Sequence, residues 1–319
     1  FLDETRDFEE RPWRGEDLNG KTLLMFRTGG YGDILLLTPL VRHLRQRFPQ
    51  VRIWFATQPK YLMALSGNPD VTKRLPVPTP LSFCEQADFH LQFEGTIETA
   101  ADPTHHAVDL MAERAGVVLE PAERELVYTP APARVAAIRM QLLEKVKVRV
   151  GRPWVAVQAR ASAPLRTYPA PLLANAIRRI VQNGCEVIVL GEEGACPPLV
   201  RGVRGVYDLC GRTPMMADTV AILACCDALV APDSSLTHFA GAMRIPTVAI
   251  YGPFPGAVRT AYYPACVTLE GQYRCAPCFL HGQSPCPAAQ RKKQEYSPCL
   301  QTIRPQDVAR AVAGIFKER

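Results

Sequence analysis

At 319 residues, with 47% hydrophobic and 21% charged side chains, the chain is long enough for two domains of about 150 residues each and too apolar for a disordered or fibrous polypeptide. Its formal net charge of +6 suits acidic substrates or anionic surfaces and gives little ground for nucleic-acid binding. No uninterrupted apolar run of about 20 residues occurs, and the charged opening FLDETRDFEERPWRGED is unlike a secretory signal, so a soluble cytoplasmic protein is the expectation.

The elements then follow in order. KTLLMFR (21–27) reads as a buried strand, TPLVRHLRQRF (38–48) as a helix with Leu40, Val41, Leu44 and Phe48 at helical spacing, and VRIWFAT (51–57) as the next strand. Together they make one βαβ unit, which demands a parallel sheet with a right-handed crossover. Residues 59–126, with NPDV at 68–71 and a proline-rich run at 76–80, are expected to form irregular strands and loops that read the acceptor. The stretch 128–153 shifts to proline, alanine and alternating charge, as an interdomain linker with one helix would.

Past the linker the alternation restarts. Strands are predicted at 154–160, 185–191, 206–211, 227–232 and 246–253, with helices at 170–184, 216–226 and 235–244 between them, which argues a second parallel sheet. The domains predicted are 1–140 and 141–304, the latter with a cysteine-rich insertion at 271–300. An amphipathic helix at 305–319 is expected to pack back on the first domain.

Two strand-to-helix turns carry the chemistry. In RTGGYGD (27–33) the glycines Gly29, Gly30 and Gly32 allow positive φ and close approach of a ligand, and Asp33 either caps the next helix or faces the ligand. In APDSSLTH (231–238) Asp233 ends an apolar strand, while Ser234 and Ser235 offer hydroxyls and free N–H groups to an anion. Open α/β sheets bind ligands at such turns, and the ligand expected here is phosphorylated. His238, one turn further on, either points back at that ligand or packs.

Four cations, Arg42, Arg45, Arg47 and Arg52, crowd the helix of 38–48 and its exit. They form either a solvated face or, with Arg42 and Arg45 foremost, a grip on an acidic acceptor. Arg160 and Arg166 lie in the loop after the strand of 154–160, where a guanidinium can clamp phosphate. Glu192 and Glu193 follow the strand of 185–191, a place from which a carboxylate holds ribose hydroxyls.

Of the eleven cysteines, Cys84, Cys185, Cys210, Cys225 and Cys226 sit in apolar runs and read as reduced core residues. Cys275, Cys278, Cys286 and Cys299 are spaced as CxxC, seven residues and twelve residues. Four such sulfurs suit structural zinc or iron and leave no position for water, so that a metal would hold the loop and not catalyse. Free thiols or disulfides are the alternatives, and His281 is a substitute ligand.

RTGGYGDILLLTPLVRHLRQRFP, GNPDV, LRTYP, VIVLGEE, DLCGRT and APDSSLTHFAGAMRIPTVAIYGP, in that order and at that spacing, make the chain resemble the family 9 glycosyltransferases, the bacterial heptosyltransferases of lipopolysaccharide core assembly. The resemblance spans most of residues 21–315. It implies a GT-B fold, with two Rossmann-like parallel-sheet domains facing a central cleft. It also implies an ADP-heptose donor, an acidic glycan or lipid-linked acceptor, inversion at the anomeric carbon, no cofactor in the chemistry, and peripheral contact with the inner membrane. By the same resemblance Asp33 is the general base, Arg166 neutralises the donor phosphates, Glu192 or Glu193 falls near the ribose acid, and Asp233, Ser234 and Ser235 hold heptose and pyrophosphate. Ser235 departs from the glycine common in the family, and apart from GNPDV the region 59–126 has no segment that matches it firmly. Another donor, a protein acceptor, or a non-catalytic sugar-nucleotide binding module are the competing readings.

Overall fold

The computed structural model describes residues 10–100, 102, 104–281 and 285–317. The chain divides into two compact units at Thr129/Pro130.

In the first unit, β1 (Thr22–Phe26) leads into two short helices, α1 (Tyr31–Leu36) and α2 (Thr38–Arg47), and then β2 (Arg52–Thr57). β3 (Lys73–Pro76), α3 (Leu81–Gln86), β4 (Phe89–Gln92) and α4 (Ala107–Arg114) follow. The four strands form one parallel sheet in the order β3-β2-β1-β4, with Leu23 paired to Ile53 on one side and to Phe89 on the other. The segment predicted to be irregular therefore supplies half of this sheet. Burial of Leu23, Met25, Ile53 and Phe55 on the strands and of Ile34, Leu35, Leu40 and Val41 on the helices supplies its apolar drive.

The second unit opens with α5 (Pro132–Gln141) and alternates β5 (Trp154–Gln158), α6 (Ala170–Gln182), β6 (Glu186–Leu190) and β7 (Val206–Asp208). It continues with α7 (Met216–Ala224), β8 (Ala228–Pro232), α8 (Ser235–Ala242), β9 (Thr247–Tyr251), α9 (Gly256–Arg259) and β10 (Cys266–Glu270). Three helices close the chain: α10 (Pro287–Arg291), α11 (Pro298–Gln301) and α12 (Pro305–Lys317). All six strands are parallel, in the order β10-β9-β8-β5-β6-β7. β5, β6, β8 and β9 are buried almost throughout, as strands covered on both faces must be.

Two domain expectations change. The division falls before α5, which joins the second unit because Arg134 pairs with Asp218 of α7 and the Cys225 thiol reaches the Val135 carbonyl. Likewise α12, expected to return to the first domain, packs on α6 and buries Val308, Ala309 and Val312 in the second core. Its apolar stripe matches the one that α6 presents through Leu173, Ile177 and Ile180.

Among the described residues no helix is long and apolar enough to cross a membrane. The core cysteines Cys84, Cys185, Cys210, Cys225 and Cys226 are buried as predicted, and none of the eleven cysteines is in a disulfide. Burial pushes the Cys185 thiol up to about 11 and that of Cys210 up to about 12.

Candidate functional site

In both sheets the strand order reverses beside the first strand, between β1 and β4 in one and between β5 and β8 in the other. Chains leave neighbouring strands in opposite directions there, opening a crevice at the carboxyl ends of the strands. The two motif turns of the sequence emerge at these reversal points.

In the first unit the turn after β1 is organised around Arg27, whose side chain is only 1% exposed. Its Nη2 donates to Oδ1 of Asp33 at 3.2 Å and to Oε1 of Glu98 at 2.7 Å, and its Nη1 donates to the Phe93 carbonyl at 3.0 Å. Glu94 stands 3.9 Å from the same guanidinium and accepts from the backbone and hydroxyl of Thr28. Burial works against the Arg27 charge, but the bond to Glu98 and the charges of Asp33 and Glu94 outweigh it and raise the guanidinium above its ordinary value.

Asp33 is the third residue of α1, and its Oδ2 accepts from the Gly30 N–H at 2.6 Å. It therefore both caps the helix and, with its side chain 31% exposed, meets solvent. The glycines serve a different end from the one expected. Gly30 has φ −65° and spends its N–H on Asp33, while Gly32 lies inside α1. At Gly29 an added Cβ would sit 2.6 Å from Oδ2 of Asp33 and 2.9 Å from Nε of Arg27. The missing side chain makes room for the Arg27–Asp33 pair.

Arg42 and Arg45 do not form an open cationic face. Arg42 donates to the carbonyls of Glu123 and Glu125, and Arg45 to that of Val51, so both are half-buried staples that hold α2 to its own unit. Backbone carbonyls at these ends need donors, and the long arginine side chains reach them.

In the second unit the loops after β5 and β8 are tied together. Arg166 Nη1 donates to the Asp233 carbonyl at 3.1 Å and stands 3.4 Å from its Oδ2, while Nη2 donates to Ser162 at 2.9 Å. The Arg166 Nε is buried without a partner. Asp233 is 5% exposed, and Arg166 supplies the cation that a carboxylate in this place requires. Ser234, the residue before α8, donates its hydroxyl to Gln158 at the end of β5 and does not cap its own helix. The first N–H groups of α8, beginning at Ser235, thus keep their anion-binding orientation.

Glu192 and Glu193 are exposed on the turn after β6, the strand beside β5. His238 is different: it is buried, with Nδ1 bonded to the Tyr263 hydroxyl and the rings edge-to-face at 5.9 Å. Burial raises the Tyr263 hydroxyl well above its ordinary value. The structure packs His238 against Tyr263, as one of the two expectations had it.

Cys275, Cys278, Cys286 and Cys299 all line one cavity of about 10 Å³, together with Leu165 beside Arg166, which is space for one small ion or water. Ser297 donates to the Leu165 carbonyl at 2.8 Å and fastens this loop to the Arg166 turn. Among the described residues no three His, Cys, Asp or Glu side chains stand in a metal-holding arrangement, so the sulfurs share a wall without closing into a ligand set. Burial pushes Cys299 up to about 11 and raises Cys278. His281 lies 4.7 Å from the Phe254 ring, centre to centre, and does not line the cavity.

Sequence reading missed Arg27 as a site residue, with Glu94, Glu98 and Gln158. A signal for two of them was present: β1 and β5 are apolar strands that run into a polar residue, Arg27 after one and Gln158 at the end of the other.

Comparison with known proteins adds the family. The chain is 31% identical over 99 residues to lipopolysaccharide heptosyltransferase 1 of Pseudomonas aeruginosa, a match that covers 30% of this chain and 28% of that protein. It superposes on the ADP-heptose lipopolysaccharide heptosyltransferase II of Escherichia coli with a TM-score of 0.69 at 17% identity, over 93% of this chain and 99% of that one. TibC of enterotoxigenic Escherichia coli, an iron-containing dodecameric heptosyltransferase solved with ADP-D-β-D-heptose, gives a TM-score of 0.68 at 16% identity over 95% of this chain and 78% of its own. These structures share the two-domain fold of parallel sheets. The family model of glycosyltransferase family 9 (heptosyltransferase) matches residues 103–288, more than half of the chain and inclusive of the Arg166 and Asp233 turns, and the chain belongs to that family.

Proposed function

We propose that this chain is an inverting glycosyltransferase that moves a heptose from ADP-heptose to an acceptor hydroxyl of a lipopolysaccharide core or a related acidic, lipid-linked glycan. Its place of work is the cytoplasm, at the inner-membrane surface. The observation that carries the reading is the Arg166–Asp233 pair beside the start of α8, at the strand reversal of the second sheet. The guanidinium and the helix N–H groups supply the positive charge that a departing diphosphate needs. Glu192 or Glu193 on the adjacent turn serves the ribose.

In the first unit Asp33 takes the proton of the acceptor hydroxyl as its oxygen bonds the anomeric carbon. The bond from that carbon to the diphosphate breaks with its electron pair, and ADP leaves. Protein cations and amides stabilise the leaving group in this scheme, so it calls for no metal in the chemistry. A purified sample offered ADP-heptose, UDP-glucose and GDP-mannose with core oligosaccharide should release ADP in an acceptor-dependent manner and give a product of inverted anomeric configuration by NMR. Acceptor-dependent turnover of the UDP- or GDP-sugar alone would replace the donor assignment.

For the cysteine loop we propose a structural zinc or iron held by Cys275, Cys278, Cys286 and Cys299. The support is that all four line one small cavity, together with the softness of four thiolates. Elemental analysis of freshly purified protein should find about one equivalent. Less than about a tenth of an equivalent would end the proposal, because structural thiolate sites hold their ion tightly.

A further inference from the structure

We infer that Arg27 is a positioning residue for the Asp33 carboxylate, fixing the direction in which that group meets the acceptor hydroxyl. The inference rests on the reading of Asp33 as general base and adds a residue to it.

The geometry behind it is specific. Asp33 is held at both oxygens, Oδ1 by the Arg27 fork and Oδ2 by the Gly30 N–H, so its carboxylate cannot rotate without losing one bond. Arg27 in turn is anchored on its far side by Glu98 and by the Phe93 carbonyl. These anchors follow β4, whereas Arg27 follows β1, and β1 and β4 are the neighbours at the strand reversal. The guanidinium thereby transmits the rigidity of the sheet to a residue on a six-residue helix.

Neutralising Glu94 and Glu98 alone would not require Arg27 to reach across Gly29. The bare Cα of Gly29 lies where any side chain would collide with both Oδ2 of Asp33 and Nε of Arg27. Lysine would keep the charge and lose the fork, since one ammonium lacks the planar pair of Nη groups that serves Phe93, Glu98 and Asp33 together. Misplacing a reacting group by about 1 Å costs on the order of 10²-fold in rate.

Two variants test this. Arg27→Lys retains the cation, and Gly29→Ala retains every charge while displacing the carboxylate. Each should lower kcat by about 10²-fold and leave the KM for ADP-heptose within about twofold, with a cooperative thermal transition retained. A purely structural Arg27 predicts instead that folded Arg27→Lys and Gly29→Ala keep kcat within about threefold, and that result overturns the proposal. Should Arg27→Lys not fold, Gly29→Ala decides by the same criterion. Asp33→Asn separates this from failure of the base itself: if it is inactive while the two variants are active, only the positioning role is lost.

Discussion

Replacing Asp33 with asparagine should lower kcat by about 10²- to 10⁴-fold, the span usual for removal of a general base. Binding of ADP-heptose should stay within about twofold of wild type, because the groups assigned to the donor lie on the second unit. Asparagine keeps the shape of the side chain but has one oxygen for the two donors, the Gly30 N–H and Arg27 Nη2, and it cannot take up a proton. Stability is a lesser matter. An acid in the first turn of a helix contributes about 0.3–1 kcal/mol, and Arg27 keeps Glu98 at 2.7 Å as its counter-charge. The kinetic effect therefore exceeds the structural one. Initial rates of ADP release and calorimetric titration of ADP-heptose measure turnover and donor binding separately. A kcat within about tenfold of wild type would remove Asp33 from the chemistry.

Much of the framework behind this argument was legible in the sequence, for physical reasons that also mark where the reading stopped. β1, β2, β5, β6, β8 and β9 are runs of five or six mostly buried residues between turn signals, and burial on both faces writes itself as a continuous apolar run. β3 and β4, KRLP and FHLQ, have four residues and one buried side chain each, and the edge strand β10 is half exposed. Strands of that kind carry no period. Missing β4 concealed Glu94 and Glu98, which reach Arg27 across 67 and 71 positions of sequence. Asp33 and Asp233 were legible because a carboxylate at a strand-to-helix turn needs a reason to be there. Arg42, Arg45 and His238 were not, since a charge or ring read singly does not disclose the carbonyl or hydroxyl that will take it up.

Replacing Arg166 with methionine should lower kcat by about 10²- to 10³-fold, as loss of one preorganised charge-stabilising group does, and should raise the KM for ADP-heptose as well. The same change has a structural cost, because it strips Asp233, 5% exposed, of the cation 3.4 Å away. Leaving one partner of a buried pair uncompensated costs about 3–5 kcal/mol, less here because the carboxylate can take up water once the guanidinium is gone. Kinetics on the single variant would thus mix two effects. Arg166→Met/Asp233→Asn separates them, since a neutral side chain at 233 no longer needs a counter-charge. Relative to Arg166→Met the double variant should regain most of the lost Tm, and relative to Asp233→Asn alone it should still show the full loss of kcat if the guanidinium acts on the departing diphosphate. Recovery of both together would mean that Arg166 serves only to hold Asp233 at the end of β8, and the leaving-group role would pass to the amides of α8.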